Sequence, residues 1–236
     1  MLTTAQRRTH YDAFVAEVID LCADNRIRAD LASGRGRPVD ECHRMQEHLT
    51  ARIARYGARR AHYTTACLIA MQRHFAQRSP YTPEFATTHP DAAVDVAAAT
   101  ACANPAAPLS GAAAGLAAAD ATPPDATGAA GESAARPWRS RPNLGTTLAI
   151  AAGRHGFKES RMTERVKVLT KLSASQLHPR LWTLAAYLHN RDAARLDWAV
   201  LLEDLAWWDY DQRSIATRWR ESYFLTLDTL SAFKDS

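Results

Sequence analysis

Apolar side chains recur at three- and four-residue spacing through most of this chain, a period that belongs to helices, and no segment shows the strict alternation of a strand. From about Thr9, the residues Tyr11, Phe14, Val15, Val18, Ile19 and Cys22 share one helical face. That helix is expected to run out near Ser33-Gly34-Arg35-Gly36-Arg37-Pro38, where two glycines and a proline favour a turn. Residues 40–58 are polar and read as helical only in part. A second helix over about 60–77 carries Tyr63, Cys67, Ala70, Met71 and His74 or Phe75 inward, with Ser79-Pro80 marking its end.

Between 91 and 135 the pattern vanishes. The segment is built of Ala, Pro, Gly, Thr and Asp without one Lys, Arg or aromatic residue, so it offers little large apolar surface to offset the entropy of ordering it. It reads as a disordered linker between a lobe at 1–90 and a lobe at 136–236. Beyond it, Asn143 caps a helix through Leu144, Leu148 and Ala151 that ends at Gly153 to Gly156. Ser160 is placed to cap the next, which turns Met162, Val166 and Leu169 inward. Another presents Leu177, Leu181, Leu184 and Leu188. Asp197 then caps a helix with Trp198, Leu201, Leu202 and Leu205, and Asp209 to Asp211 interrupts the pattern before Ile215, Trp219, Tyr223 and Leu227. The expected fold is all-α, two helical lobes joined by a long linker.

At 236 residues with 47% hydrophobic content, the chain can bury a sizeable core unaided. Nothing resembles a signal peptide or a membrane span, so a cytoplasmic protein without membrane partners is expected. The four cysteines, Cys22, Cys42, Cys67 and Cys102, form no CxxC pair and stand at no zinc spacing; Cys22 and Cys67 fall on apolar stripes as small buried hydrophobes.

Charge is informative by position. The net charge of +4 divides into +4 over 1–90, −5 over 91–135, +8 over 136–180 and −3 over 181–236. One short segment thus holds more than the whole excess, as expected of a surface that faces a polyanion. Within it, Arg161 and Arg165 share one helical stripe, Lys167 and Lys171 form another across the apolar face, and Arg154 and Lys158 lead in. Arg26, Arg28, Arg35 and Arg37 surround the Gly-containing turn, where backbone N–H groups and guanidinium forks both suit phosphate. Arg136, Arg139 and Arg141 flank Trp138, which either stacks a base or packs as an ordinary tryptophan. Of Trp207 and Trp208, at least one is expected in the core.

Signatures of catalysis are missing. There is no P-loop, GxGxxG, HExxH or GxSxG, and His43 and His48 stand five apart, off the spacing that aligns two ligands on a helix. Asp209-Tyr210-Asp211 reads as a helix break before it reads as a metal-binding tripeptide. Neither enzyme nor cofactor is expected.

Several runs carry a resemblance. Asn143 to Leu148, Glu159-Ser160-Arg161, Leu196 through Asp209 (LDWAVLLEDLAWWD) and Arg218-Trp219-Arg220 occur in the order of the SLGxxL, SER, LDWxxLLxDLxxWD and RxWAR patterns of the CasB family, the small subunit of the type I-E CRISPR surveillance complex (Cascade). Asp24 to Arg37 is similar to its DxxxRxxLRRGxGR element through Arg28, Leu31, Gly34, Gly36 and Arg37. The resemblance covers roughly 10–78 and 142–224. It implies an all-α, non-catalytic subunit, present with a second copy of itself in a crRNA-containing ribonucleoprotein, touching the large subunit and the backbone subunits. It also implies sequence-independent binding that steadies target and displaced DNA strands in the R-loop, with Arg28, Arg37, Arg161, Arg165 and Lys171 at basic family positions. Ala32, Ser33, Thr146 and Trp182 depart from the family pattern; Arg35, Lys158 and Lys167 are expected to make up the lost charge. Two other readings remain from the residues: a structural adaptor that fastens neighbouring subunits without nucleic acid, and an enzyme using Asp209 and Asp211.

Overall fold

The computed structural model describes residues 2–72, 137–189 and 196–233, and these are helical with no strand among them. In chain order they form α1 (Thr4–Leu21), α2 (Asn25–Ala32), α3 (His43–Ile53), α4 (Arg59–Met71), α5 (Leu144–Arg154), α6 (Glu159–Leu169), α7 (Ala174–His189) and α8 (Trp198–Ala232). The expected linker at 91–135 and the helix end at Ser79-Pro80 lie outside the described residues.

Most helices start and stop where local chemistry dictates. Thr3 and Gln6 form a reciprocal capping box, so α1 begins earlier than its apolar stripe suggests. The stripe then breaks at Cys22 and does not run on to Ser33: Asp24 accepts from the N–H groups of Arg26 and Ile27 and starts α2 as a separate helix. Asn143 and Asp197 cap α5 and α8 as expected. Ser160 does not cap α6, which starts from Lys158 without a side-chain cap and holds Ser160 inside its first turn.

Helix α4 is the hub. Every residue from Ala61 to Ala70 is buried, because α4 packs against α1, α2, α3, α7 and α8. Small side chains such as Ala61, Thr65, Ala66 and Ala70 leave room for neighbours on all sides. Through this helix the lobes before and after the 73–136 segment share one continuous core. Thr64 Oγ1 meets His178 Nδ1 of α7 at 2.7 Å, and burial lowers the pKa of that imidazole to about 3, so it stays neutral.

Two details fix the C-terminal lobe. Asp211 has non-helical φ and ψ (−138°, 40°) and divides α8 into limbs at 198–210 and 212–232. Trp208 and Trp219 then pack against each other between the limbs, their ring centres 4.8 Å apart and their planes tilted by 35°. Helix α5 lies on the second limb so closely that a Cβ at Gly145 would stand 1.9 Å from the Trp219 carbonyl oxygen, so only glycine fits there.

Candidate nucleic-acid interface

The turn after α2 is held in an unusual conformation. Arg35 (φ 48°) and Gly36 (φ 72°) both lie in the left-handed region, which glycine enters freely and arginine does not. A Cβ at Gly36 would lie 2.5 Å from the His178 carbonyl oxygen, so the turn needs glycine both for its φ and for its approach to α7. The Arg35 N–H donates to Cys67 Sγ at 3.0 Å, and Cys67 Sγ donates to the Ala32 carbonyl at 3.6 Å. Burial pushes the Cys67 thiol up to about 11, which keeps it protonated for that double role.

Anchored in this way, the turn sends Arg35 across to α7, its guanidinium carbon 5.6 Å from the centre of the Trp182 ring. From the other side, Arg165 of α6 lies over Tyr187 of α7 at 4.2 Å. Trp182 and Tyr187 are five residues apart, roughly 7.5 Å along the helix axis. A basic residue from each lobe therefore ends on one helix, each on its own ring, with the two rings roughly 140° apart around that helix.

The eight sequence-predicted residues divide by position. Arg35, Arg37, Lys158, Arg161, Lys167 and Lys171 are exposed, while Arg28 and Arg165 are half-buried. Arg161, Arg165 and Lys158 fall on the side of α6 toward α7. Lys167 lies roughly 200° around the helix from Arg165, and Lys171 follows the end of α6 on that far side. The two stripes are therefore not brought together. Arg28 stands by Cys22, whose thiol burial raises to about 11 and the nearby guanidinium partly restrains. Arg37 donates back to the Ser33 carbonyl at 3.4 Å. Among the described residues, none of the eight is in an ion pair with a carboxylate.

The third basic cluster is different. Arg141 makes a two-pronged bond to Asp197 at 2.6 and 2.8 Å and also reaches Asp12. Trp138 is held between the guanidinium groups of Arg141 and Arg8, at 4.3 and 5.1 Å, and donates its indole N–H to Glu203, which Arg8 also pairs. These groups fasten α1 to α8. Trp138 is a packed tryptophan here, Arg139 is exposed and Arg136 lies outside the described residues. Trp208 is buried and donates to the Leu172 carbonyl, as the core expectation required, whereas Trp207 is partly exposed beneath Arg7.

Sequence reasoning missed Arg180, exposed on α7 on the Tyr187 side, and the rings of Trp182 and Tyr187 themselves. The available signal was the polar series Gln176, Arg180 and Thr183 opposite the leucine stripe of α7. Among the described residues no three His, Cys, Asp or Glu side chains cluster as metal ligands, and no helix is long and apolar enough to cross a membrane. Asp211 is itself the break in α8, and Asp209 lies two residues before it.

A protein-family model for the CRISPR-associated protein Cse2 matches residues 27–224. A solved structure titled "CRISPR RNA-guided surveillance complex, pre-nicking" contains a chain of similar fold, with a TM-score of 0.64 and 22% identity over 96% of this chain and 98% of that one. Another, "CRISPR RNA-guided surveillance complex", matches with a TM-score of 0.64 and 23% identity over 97% and 99%. At such identities the structural likeness establishes the fold. No curated protein matches the chain.

Proposed function

The chain belongs to the CRISPR-associated Cse2 family, and from that premise we propose that it acts as the non-catalytic small subunit of a type I-E surveillance complex, gripping nucleic-acid backbone without reading sequence. Its partners in this reading are a crRNA-containing ribonucleoprotein with its large and backbone subunits, a second copy of the chain, and the target and displaced DNA strands. R-loop formation is close to balanced energetically, so phosphate contacts by a helper subunit are enough to tip it. No chemistry at Asp209 or Asp211 is invoked.

The observation that supports this best is the contrast between two sets of cations. Arg8, Arg52, Arg141 and Arg218 are neutralised by carboxylates within the fold. Arg35 and Arg165 instead lie on aromatic rings of α7 from opposite lobes, with Arg161 one turn before Arg165 on α6 and, among the described residues, no carboxylate paired with any of the three. Arginine stacked on a ring keeps its N–H fork free for phosphate. In this reading Arg28, Arg37 and Lys158 add further contacts, while Lys167 and Lys171, on the far side of α6, contribute less.

The test is a titration of mixed-sequence single-stranded DNA with the full chain across a series of salt concentrations. About four phosphate contacts should give a slope of log affinity against log salt of roughly −0.7 times four. Ala replacement of Arg35, Arg161 and Arg165 together should flatten the slope and abolish binding. Unchanged affinity in that variant would favour the adaptor reading instead.

A further inference from the structure

Exposed large apolar side chains are few among the described residues, and three of them lie within ten residues of each other, Phe224 at 47% exposed and Leu225 at 69% on the second limb of α8 and Phe233 at 77% just after it. Phe224 and Leu225 line an open groove with Leu227, Asp228 and Ser231, which Glu159 at the start of α6 closes on its far side. Such clustering is unlike the scattered exposure of an ordinary surface.

The charge pattern of this groove is specific. Glu221, Phe224, Leu225 and Asp228 are all exposed at i, i+3, i+4 and i+7, so they form one stripe with an apolar centre and an acid at each end. From Glu221 to Phe233 the helix carries no Lys or Arg. Glu159 and Asp228 line the groove itself, and Glu221 stands one turn beyond it on the same stripe. None of the three is in an ion pair among the described residues.

We propose that this groove docks a helix of a partner protein whose contact face is apolar and flanked by lysine or arginine. The apolar floor of Phe224, Leu225 and Leu227 suits the ridge of an incoming amphipathic helix, and the acids around it suit its flanking cations. Other occupants fit less well. Segment 91–135 of the same chain has five carboxylates and no Lys or Arg, the wrong sign for this rim. A symmetric contact between two copies through the same stripe would set acid against acid. Nucleic acid is repelled for the same reason. The inference stands independently of the phosphate-binding reading, since it uses none of the same residues.

The probe is a helical peptide of leucine and lysine, with leucines at i, i+3, i+4 and i+7, compared with its leucine and glutamate counterpart by fluorescence anisotropy against the full chain. The lysine peptide should bind and the glutamate peptide should not. Leu225→Ser should weaken binding by about tenfold, a typical loss for a central apolar anchor. Glu221→Lys with Asp228→Lys should transfer preference to the glutamate peptide. All three positions are exposed, so the melting temperature should stay within about a degree of wild type for ordinary surface substitutions. Equal binding of both peptides, or no effect of Leu225→Ser, would overturn the proposal. So would sedimentation showing a wild-type dimer that Leu225→Ser dissociates, which would assign the groove to a second copy. Mixed-sequence DNA binding should be the same in Leu225→Ser and wild type; a parallel loss there would place the groove on the nucleic-acid surface and overturn it too.

Discussion

Trp219 donates its indole N–H to Asp204 Oδ2 at 2.6 Å, although fifteen residues separate the two within one helical element. In a straight helix they would stand roughly 22 Å apart. The bond exists because the backbone at Asp211 turns the second limb of α8 back along the first. Arg218 pairs with the other carboxylate oxygen of Asp204, so one buried acid holds both limbs together.

Asp204→Ala should therefore destabilise the fold by about 2–4 kcal/mol, because a buried indole N–H loses its acceptor and a cavity opens beside it. Urea unfolding measures this. Asp204→Asn, which retains an acceptor for Trp219, should fall between Ala and wild type.

The same carboxyl gives a pH signature. Burial pushes Asp204 up to about 7, against the pull of Arg218 and the Trp219 hydrogen bond. The folded state then holds a proton that the unfolded chain has released above about pH 4. Its contribution to stability is complete below that point and lost as pH rises through 7. Burial acts in the opposite sense on His10, lowered to about 4 with help from His62, and on His178, lowered to about 3; their contributions are present above pH 6.5 and lost as pH falls through those values. Subtracting the unfolding free energy of Asp204→Asn from that of wild type between pH 4 and 8 should isolate the acid's declining term. A flat difference would show that the carboxyl stays ionised.

Pro179 lies inside α7 and has no N–H to give the Ser175 carbonyl four residues earlier. Arg60 of α4 supplies the missing donor, its Nη2 reaching that oxygen at 3.2 Å. Arg60→Met should cost about 1–2 kcal/mol in wild type. In a Pro179→Ala background the helix restores its own bond, and the same substitution should cost markedly less. Equal effects in both backgrounds would rule out this coupling.

Much of the fold was legible because helical periodicity and caps are local: Leu177 to Leu188, Asn143 and Asp197 all act within a turn or two of their own position. Helix α4 was legible from Tyr63, Cys67, Ala70 and Met71, but its burial on every face was not, because the polar His62, Thr64 and Thr65 lie among its buried positions. The break at Asp24 went unread because no glycine or proline announces it, although Ile27 and Leu31 stand roughly 140–180° around the helix from Cys22. In the candidate site, the turn from Ser33 to Arg37 declared itself by its glycines. The roles of the arginines did not, for the carboxylates that neutralise Arg141 are 129 and 56 residues away in sequence. Among the described residues Arg165 has no such partner, and nothing in the spacing of basic residues separates the two cases.

That division predicts a split among the cations of α6. Ala at Arg161 and Arg165, beside α7, should weaken binding of mixed-sequence DNA several-fold more than Ala at Lys167 and Lys171 on the far side. Anisotropy titrations of the two double variants at one salt concentration decide it. Equal losses would mean that nucleic acid wraps α6 from both sides.

Arg35 offers the sharpest separation of stability from binding. Its φ of 48° is a conformation that strains a residue with a Cβ by roughly 1 kcal/mol and leaves glycine unstrained. The backbone bond to Cys67 survives replacement by glycine, since it uses only the Arg35 N–H. What disappears is the guanidinium over Trp182, a contact worth about 0.5–1 kcal/mol where it is exposed. Arg35→Gly should therefore leave the melting temperature unchanged or raise it slightly, while binding of single-stranded DNA weakens and the salt slope falls by about 0.7, the share of one phosphate. An arginine kept there for packing alone would give the reverse: a lower melting temperature and an unchanged slope.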